Sequence, residues 1–178
     1  MVQELVDAIE KLIGSQINDL HTAIPAEIVE FNEDDCTVDV MPKAKIRLTT
    51  GQEVAYPRIN NVPLLFPCGA GQGVVIAFPV QKGDGCLLIF SEKALDYWQG
   101  SGVASSENKF ALSNAIAIPG LYAKPSREIL KAVQDKSLII KNDNTQVSLT
   151  GSKISIIGDI ELQGNLTLTG EIKSSQGT

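Results

Sequence analysis

The chain has 178 residues, with 15 basic against 21 acidic side chains and a formal net charge of −6. A hydrophobic fraction of 43% beside 20% charged residues excludes wholesale disorder, and the length suits one domain of about 100–150 residues plus an appendage. Net acidity argues against a phosphate-binding surface, while the single histidine, His21, leaves no His-rich metal site and makes any Ser–His–Asp centre depend on one residue.

Residues 1–21 read as a helix, because Val2, Leu5, Val6, Ile9, Leu12, Ile13, Ile17 and Leu20 recur at three- and four-residue intervals on one face. Gly14 weakens its middle by about 1 kcal/mol relative to alanine, and Pro25 closes the segment. So short a helix is marginal alone, so its apolar face docks either on its own domain or on a partner chain. Glu4, Asp7, Glu10 and Lys11 interrupt any signal-peptide pattern, and no run approaches the roughly 18 apolar residues of a membrane span. The expectation is a soluble, cytosol-made protein.

From 26 to about 121, short β-rich runs (26–31, 36–40, 45–48, 73–78 and 85–90) alternate with turn clusters at 32–35, 50–52, 67–71 and 81–84. Five or so strands at this spacing indicate a small barrel or sandwich, and a five-stranded oligonucleotide/oligosaccharide-binding (OB) type fits the length best. Within this stretch only 91–98 looks helical, since Leu95 and Trp98 lie three apart behind Ser91 and Glu92. Cys36, Cys68 and Cys86 form no CxxC pair and read as buried, inert thiols of a reduced compartment.

Apparent chemical motifs in this region have plainer readings. Gly69-Ala70-Gly71-Gln72-Gly73 is followed by a strand and lacks Gly-Lys-Ser/Thr, so it is a glycine turn and not a phosphate loop. Glu33-Asp34-Asp35 lacks the alternate oxygen spacing of a calcium loop and reads as a solvated turn. Lys82-Gly83-Asp84-Gly85 reads as a hairpin turn, and His21 sits where a helix C-terminus favours positive charge. No catalytic, cofactor-binding or metal-ligating residue is singled out.

A short helical linker at 126–134, with Pro125 at its start and Ile129, Leu130 and Val133 on its apolar side, precedes a sharp change in composition. Residues 137–178 contain no aromatic residue, proline or cysteine. Instead, Leu138 and Ile140, Val147 and Leu149, Ile154 and Ile156, Ile160 and Leu162, Leu166 and Leu168 form apolar pairs two residues apart. Residues i and i+2 of a strand face the same side, so each pair is one inward-facing strand followed by a turn. Pair starts are spaced by 9, 7, 6 and 6 residues, as in a stacked β-solenoid or β-prism. Two aliphatic side chains per unit cannot fill a solenoid core, whereas three chains wound together fill a narrow axis. The segment therefore reads as a trimerisation device, the alternative being an ordinary meander packed on the barrel.

The order of motifs in the central block is more specific than any one of them. Val62-Pro63-Leu64-Leu65-Phe66-Pro67 precedes the glycine turn, then come Phe78-Pro79, the run from Lys82 to Glu92, Leu95-Asp96-Tyr97-Trp98, Phe110-Ala111-Leu112-Ser113-Asn114-Ala115 and Ile118-Pro119-Gly120-Leu121. Over about 25–121 this resembles the membrane-puncturing central spike proteins of contractile-tailed bacteriophages, the baseplate assembly protein V-like family. The resemblance implies a mainly β chain in four parts: an N-terminal helix (1–24), an OB-fold-like β-barrel (25–124), a helical linker (125–136) and a trimeric β-helix or β-prism spike (137–178).

It also implies a homotrimer at the tail baseplate tip of the virion, assembled in the host cytoplasm, that pierces the host envelope mechanically when the sheath contracts. Leu138, Ile140, Val147, Leu149, Ile154, Ile156, Ile160, Leu162, Leu166, Leu168 and Ile172 would pack on the trimer axis, with Asp159, Glu161, Gln163 and Lys173 outward. Leu5, Ile9 and Leu12 would dock on the baseplate hub or tail-tube proteins. Phe66, Phe78 and Trp98 would be core anchors, and Gly83 and Gly85 would shape a hairpin.

Asn114 stands where the pattern expects aspartate, and the His-x-His apex that binds iron in many such spikes is missing from 171–178. The apex is then closed by Leu166, Leu168 and Ile172 or by a separate tip protein, or the sequence is a shortened form of the chain. The expected partners include no nucleic acid, and no cofactor is implied. A competing reading makes the barrel a carbohydrate-binding module of a baseplate or cell-surface assembly, in which Trp98 fluorescence would report on sugar. A fused lytic enzyme has no room between 121 and 137.

Overall fold

The computed structural model describes residues 2–18, 20–48, 50–100 and 109–173. The chain divides into two compact units, Met1–Ala123 and Lys124–Thr178.

In the first unit, helix α1 (Val2–Asn18) is followed by a five-stranded antiparallel sheet. Its strands are β1 (Ala23–Asn32), β2 (Thr37–Pro42), β5 (Ile59–Pro63), β8 (Gly85–Phe90) and β9 (Ala115–Pro119), in the order β5-β2-β1-β8-β9. Period-two alternation makes one face the core: Ile24, Ala26 and Ile28 of β1 meet Val38 and Val40 of β2, and Cys86, Leu88 and Phe90 of β8. Ile59, Val62, Ala115 and Ala117 complete it from the two outer strands. Each fully buried aliphatic side chain here contributes about 1.5–3 kcal/mol.

The sheet curls into a half-barrel because both β1 and β5 carry bulges, at Val29 between Ile28 and Glu30, and at Asn60 and Asn61, which together face Asp39 of β2. Its outer strands approach one another at a parallel bridge between Leu64 and Ala117, where Leu65 N–H donates to the Ala117 carbonyl at 2.9 Å. Two small ribbons extend from it. One pairs β3 (Lys45–Arg47) with β4 (Glu53–Ala55), and the other pairs β6 (Cys68–Gly69) with β7 (Val74–Val75).

Several expectations are corrected. Pro25 lies inside β1, one residue before pairing with β2 begins, and does not close the helix, which ends at Asn18. His21 lies beyond the helix and packs its ring against Phe90 and Tyr56, with centroids 5.4 and 5.7 Å apart. The 73–78 run forms only the two-residue β7, and 91–98 is bend and turn instead of helix. Gly83 and Asp84 turn the chain onto β1, through Gly83 N–H to the Ile28 carbonyl and Ile28 N–H to the Asp84 carbonyl, both 2.8 Å. Of the three thiols only Cys86 is buried, and burial raises its pKa to about 11. Trp98 and Phe78 are exposed; Phe78 meets half-buried Phe66 edge-on at 5.1 Å, outside the core. Asn114, at the end of a 3₁₀ turn (Leu112–Asn114), is buried and its carbonyl accepts from Ser91 N–H at 3.0 Å.

The chain leaves the half-barrel across Gly85. Gly120 N–H donates to the Gly85 carbonyl at 2.9 Å, and a side chain at Gly85 would overlap the Leu121 carbonyl oxygen.

In the second unit Ser126 caps α2 (Arg127–Gln134) by accepting from Ile129 N–H at 3.2 Å. Strands β10 (Leu138–Asn142), β11 (Thr145–Leu149) and β12 (Ile154–Ile157) follow as an antiparallel meander. Asp143, at positive φ, makes the first tight turn. Gly158 follows the last strand at φ +121°, where a Cβ would come within 2.9 Å of the Thr145 methyl. Ile160, Leu162, Leu166, Leu168 and Ile172 fall outside any strand, and 174–178 lie outside the described residues.

Gly85→Ala should lower the melting temperature of the first unit by about 5 °C or more, through overpacking against backbone. Gly69→Ala, with open space around its Cβ, should leave it nearly unchanged in the same calorimetric scan.

Candidate assembly surfaces

The register of the C-terminal sheet sets Leu138, Leu149 and Ile154 in one cross-strand row and Ile140, Val147 and Ile156 in the next. All six side chains project from the same face, since each row is two residues from the other along every strand. Leu138, Ile140, Ile154 and Ile156 are 50–65% exposed, and Val147 and Leu149 are half-buried. The opposite face carries Ile139, Lys141, Gln146, Ser148, Ser155 and Ile157. Helix α2 lies against that more polar face, where Lys141 Nζ meets Glu128 Oε1 at 2.5 Å and holds the Glu128 carboxyl below its usual range. The helix thus covers the side that needs covering less.

Exposed aliphatic residues continue past the sheet at Ile160, Leu162, Leu166, Leu168 and Ile172. Leu5, Ile9 and Leu12 share one face of α1, at i, i+4 and i+7, and are 47–62% exposed. The structure therefore brings six of the eleven expected axis residues together on one face and leaves the other five, and the three docking residues, on exposed segments.

A polar clamp on the half-barrel was not singled out from the sequence. Asp39 of β2, opposite the bulge of β5, is 8% exposed; its Oδ1 accepts from Asn61 N–H at 2.8 Å and its Oδ2 from Arg58 Nε at 3.1 Å. Arg58 Nη2 also reaches Asp39 Oδ2, and Glu30 Oε2 of β1 at 2.5 Å. Burial pushes the Asp39 carboxyl upward, but the Asn61 and Arg58 hydrogen bonds and the Arg58 charge outweigh it, so its pKa lies below the ordinary 3.8. The one hint was an acidic residue amid Val38, Val40 and Met41. Among the described residues no group of three or more His, Cys, Asp or Glu could hold a metal ion, and no helix is long and apolar enough to cross a membrane.

A carboxylate with a depressed folded-state pKa adds stability above its unfolded value, and that stability is lost as pH falls through the folded value. Asp39→Asn should accordingly have a lower urea midpoint than the wild type at pH 7, the gap closing below about pH 4. An equal gap at pH 7 and pH 3 would contradict the clamp.

Comparison with known proteins agrees with the stretch over which the motifs run in order. The family described as the phage protein Gp138 N-terminal domain matches residues 24–120, from β1 to the end of β9. No curated protein matches the chain. With more than half of its length matched, the chain belongs to the Gp138 N-terminal-domain family and is a phage structural protein.

Proposed function

We propose that this virion-associated protein is the subunit of a homotrimeric central spike at the tip of a contractile tail, driven through the host envelope when the sheath contracts. The observation that carries this reading is the row of six aliphatic side chains on the face of the C-terminal sheet that α2 does not cover. Three such faces turned inward would form a triangular prism, with Leu138, Leu149 and Ile154 in one layer and Ile140, Val147 and Ile156 in the next. Burial of each side chain is worth about 1.5–3 kcal/mol. The residues from Ile160 to Ile172 would continue the axis beyond the sheet.

The curled sheet reads as an OB-type barrel. Its strand order and the parallel Leu64–Ala117 bridge between its first and last members support this. In the spike it would be a rigid collar, with α1 as the element that docks on the hub or tube through Leu5, Ile9 and Leu12. The role is mechanical, with no enzymatic step and no cofactor.

Ile140→Asp combined with Ile156→Asp should sediment as single chains while the barrel melts normally. Ile157→Asp, on the opposite face of the same strand, should keep the trimer. Dissociation by all these substitutions alike, or by none, contradicts the assigned axis. Deleting residues 1–21 should leave the trimer intact and prevent its incorporation into tails, as read by immunoblot of purified particles; normal incorporation would rule out the docking role of α1.

A further inference from the structure

We propose that the half-barrel carries a glycan-binding cleft in which one pyranose ring stacks on Trp98 and its hydroxyls bond to Asp35 and Asn61. The cleft, of about 550 Å³, is lined by Asp35, Thr37, Asn61, Pro63, Trp98 and Gln99. That volume lies within the range of small-ligand sites. This inference goes beyond the spike and does not depend on the trimer.

Trp98 is the chain's single tryptophan and is 73% exposed. An exposed indole presents a broad apolar face with a polar N–H, and such rings are enriched at binding interfaces. The polar groups beside it are held in place. Asp35 Oδ1 accepts from Thr37 N–H at 3.2 Å and from Thr37 Oγ1 at 2.7 Å, which fixes the carboxylate and leaves Oδ2 without a partner among the described residues. Asn32 Nδ2 donates to Thr37 Oγ1 at 3.0 Å and lies 3.5 Å from Asn61 Oδ1. The Asn61 backbone is held left-handed, at φ +55°, by its N–H bond to Asp39. Groups fixed before binding cost less to order on binding.

Topology points to the same place. In OB-type barrels the second and third strands and the loops after the first and fourth form the ligand face. Asp35 lies in the turn after β1, Thr37 begins β2, Asn61 and Pro63 belong to β5, and Trp98 and Gln99 follow β8. The match to the ligand face rests on the barrel reading; the side-chain geometry stands without it.

The chemistry of the lining selects the ligand. Among the described residues it holds a carboxylate and three side chains with amide or hydroxyl groups, and no lysine or arginine, with Glu33 and Asp34 beside it in the same turn. A phosphate backbone would be repelled. A neutral sugar offers hydroxyl donors to Asp35 and Asn61 and an apolar ring face to the indole.

Because Trp98 is the sole tryptophan, its emission reads the cleft directly in the full chain. The test titrates neutral hexasaccharides of glucose, galactose, mannose and N-acetylglucosamine, with a ten-residue oligothymidylate alongside. At least one sugar should give a saturable change with Kd of about 1 mM or tighter. Asn61→Gly, which keeps the left-handed backbone and removes the amide, and Asp35→Asn should each weaken it at least about tenfold, with the barrel's melting temperature kept. No saturable change with any of the four sugars up to about 10 mM, equal binding in both variants, or binding of the oligothymidylate in place of sugar would overturn the proposal. The mass of the assembly is a separate readout, so loss of sugar binding would leave the trimer standing, and the reverse.

Discussion

An antiparallel sheet with aliphatic side chains on one face gains stability by covering that face, and among the described residues of the second unit the element that packs on the C-terminal sheet is α2. That helix is pinned to the other side by the Glu128–Lys141 pair. Its own Ile129, Leu130 and Val133 remain half or more exposed. Leu138, Ile140, Val147, Leu149, Ile154 and Ile156 therefore need a surface that the second unit does not supply. Self-association about a threefold axis meets that need with identical surfaces, a closed arrangement in which no apolar face is left over.

The first unit is built for a different demand. Two bulges and the Leu64–Ala117 bridge curl its sheet around a small aliphatic core, and the Asp39–Arg58–Glu30 clamp ties β1, β2 and the approach to β5 together from outside. Gly85 lets the departing chain pass directly over the strand, because any side chain there would meet the Leu121 carbonyl. In the proposed spike, a first unit braced in this way would serve as a collar under axial load. The proposed Trp98 cleft would add a sugar-binding surface to that unit.

How much of this was legible in the sequence depends on whether the signal was local. Strand β8 was read to the residue because Gly85 and Phe90 bound an unbroken apolar run, and the Leu138–Ile140, Val147–Leu149 and Ile154–Ile156 pairs announced three strands by their spacing. Parity alone put those pairs on one face. Strand β5 was missed because Asn60 and Asn61 interrupt it and Pro63 ends it, so its place rests on pairing with β2. The helix expected at 91–98 rested on one three-residue spacing, too little to outweigh the turns that form there. Asp39 and Arg58 lie nineteen residues apart and meet only through the fold. The exposure of Trp98, Cys36 and Cys68 was likewise invisible, because composition says which residues favour burial and not which ones the topology leaves outside.

Three chains that share one axis through residues 137–178 would set the absolute mass of the particle in solution. Light scattering on the full chain beside a form ending at Gln134 separates the two possibilities. The account predicts close to three times 19.1 kDa for the full chain and a single-chain mass for the shortened form. A full chain that is monomeric, or a shortened form that stays trimeric, would contradict it.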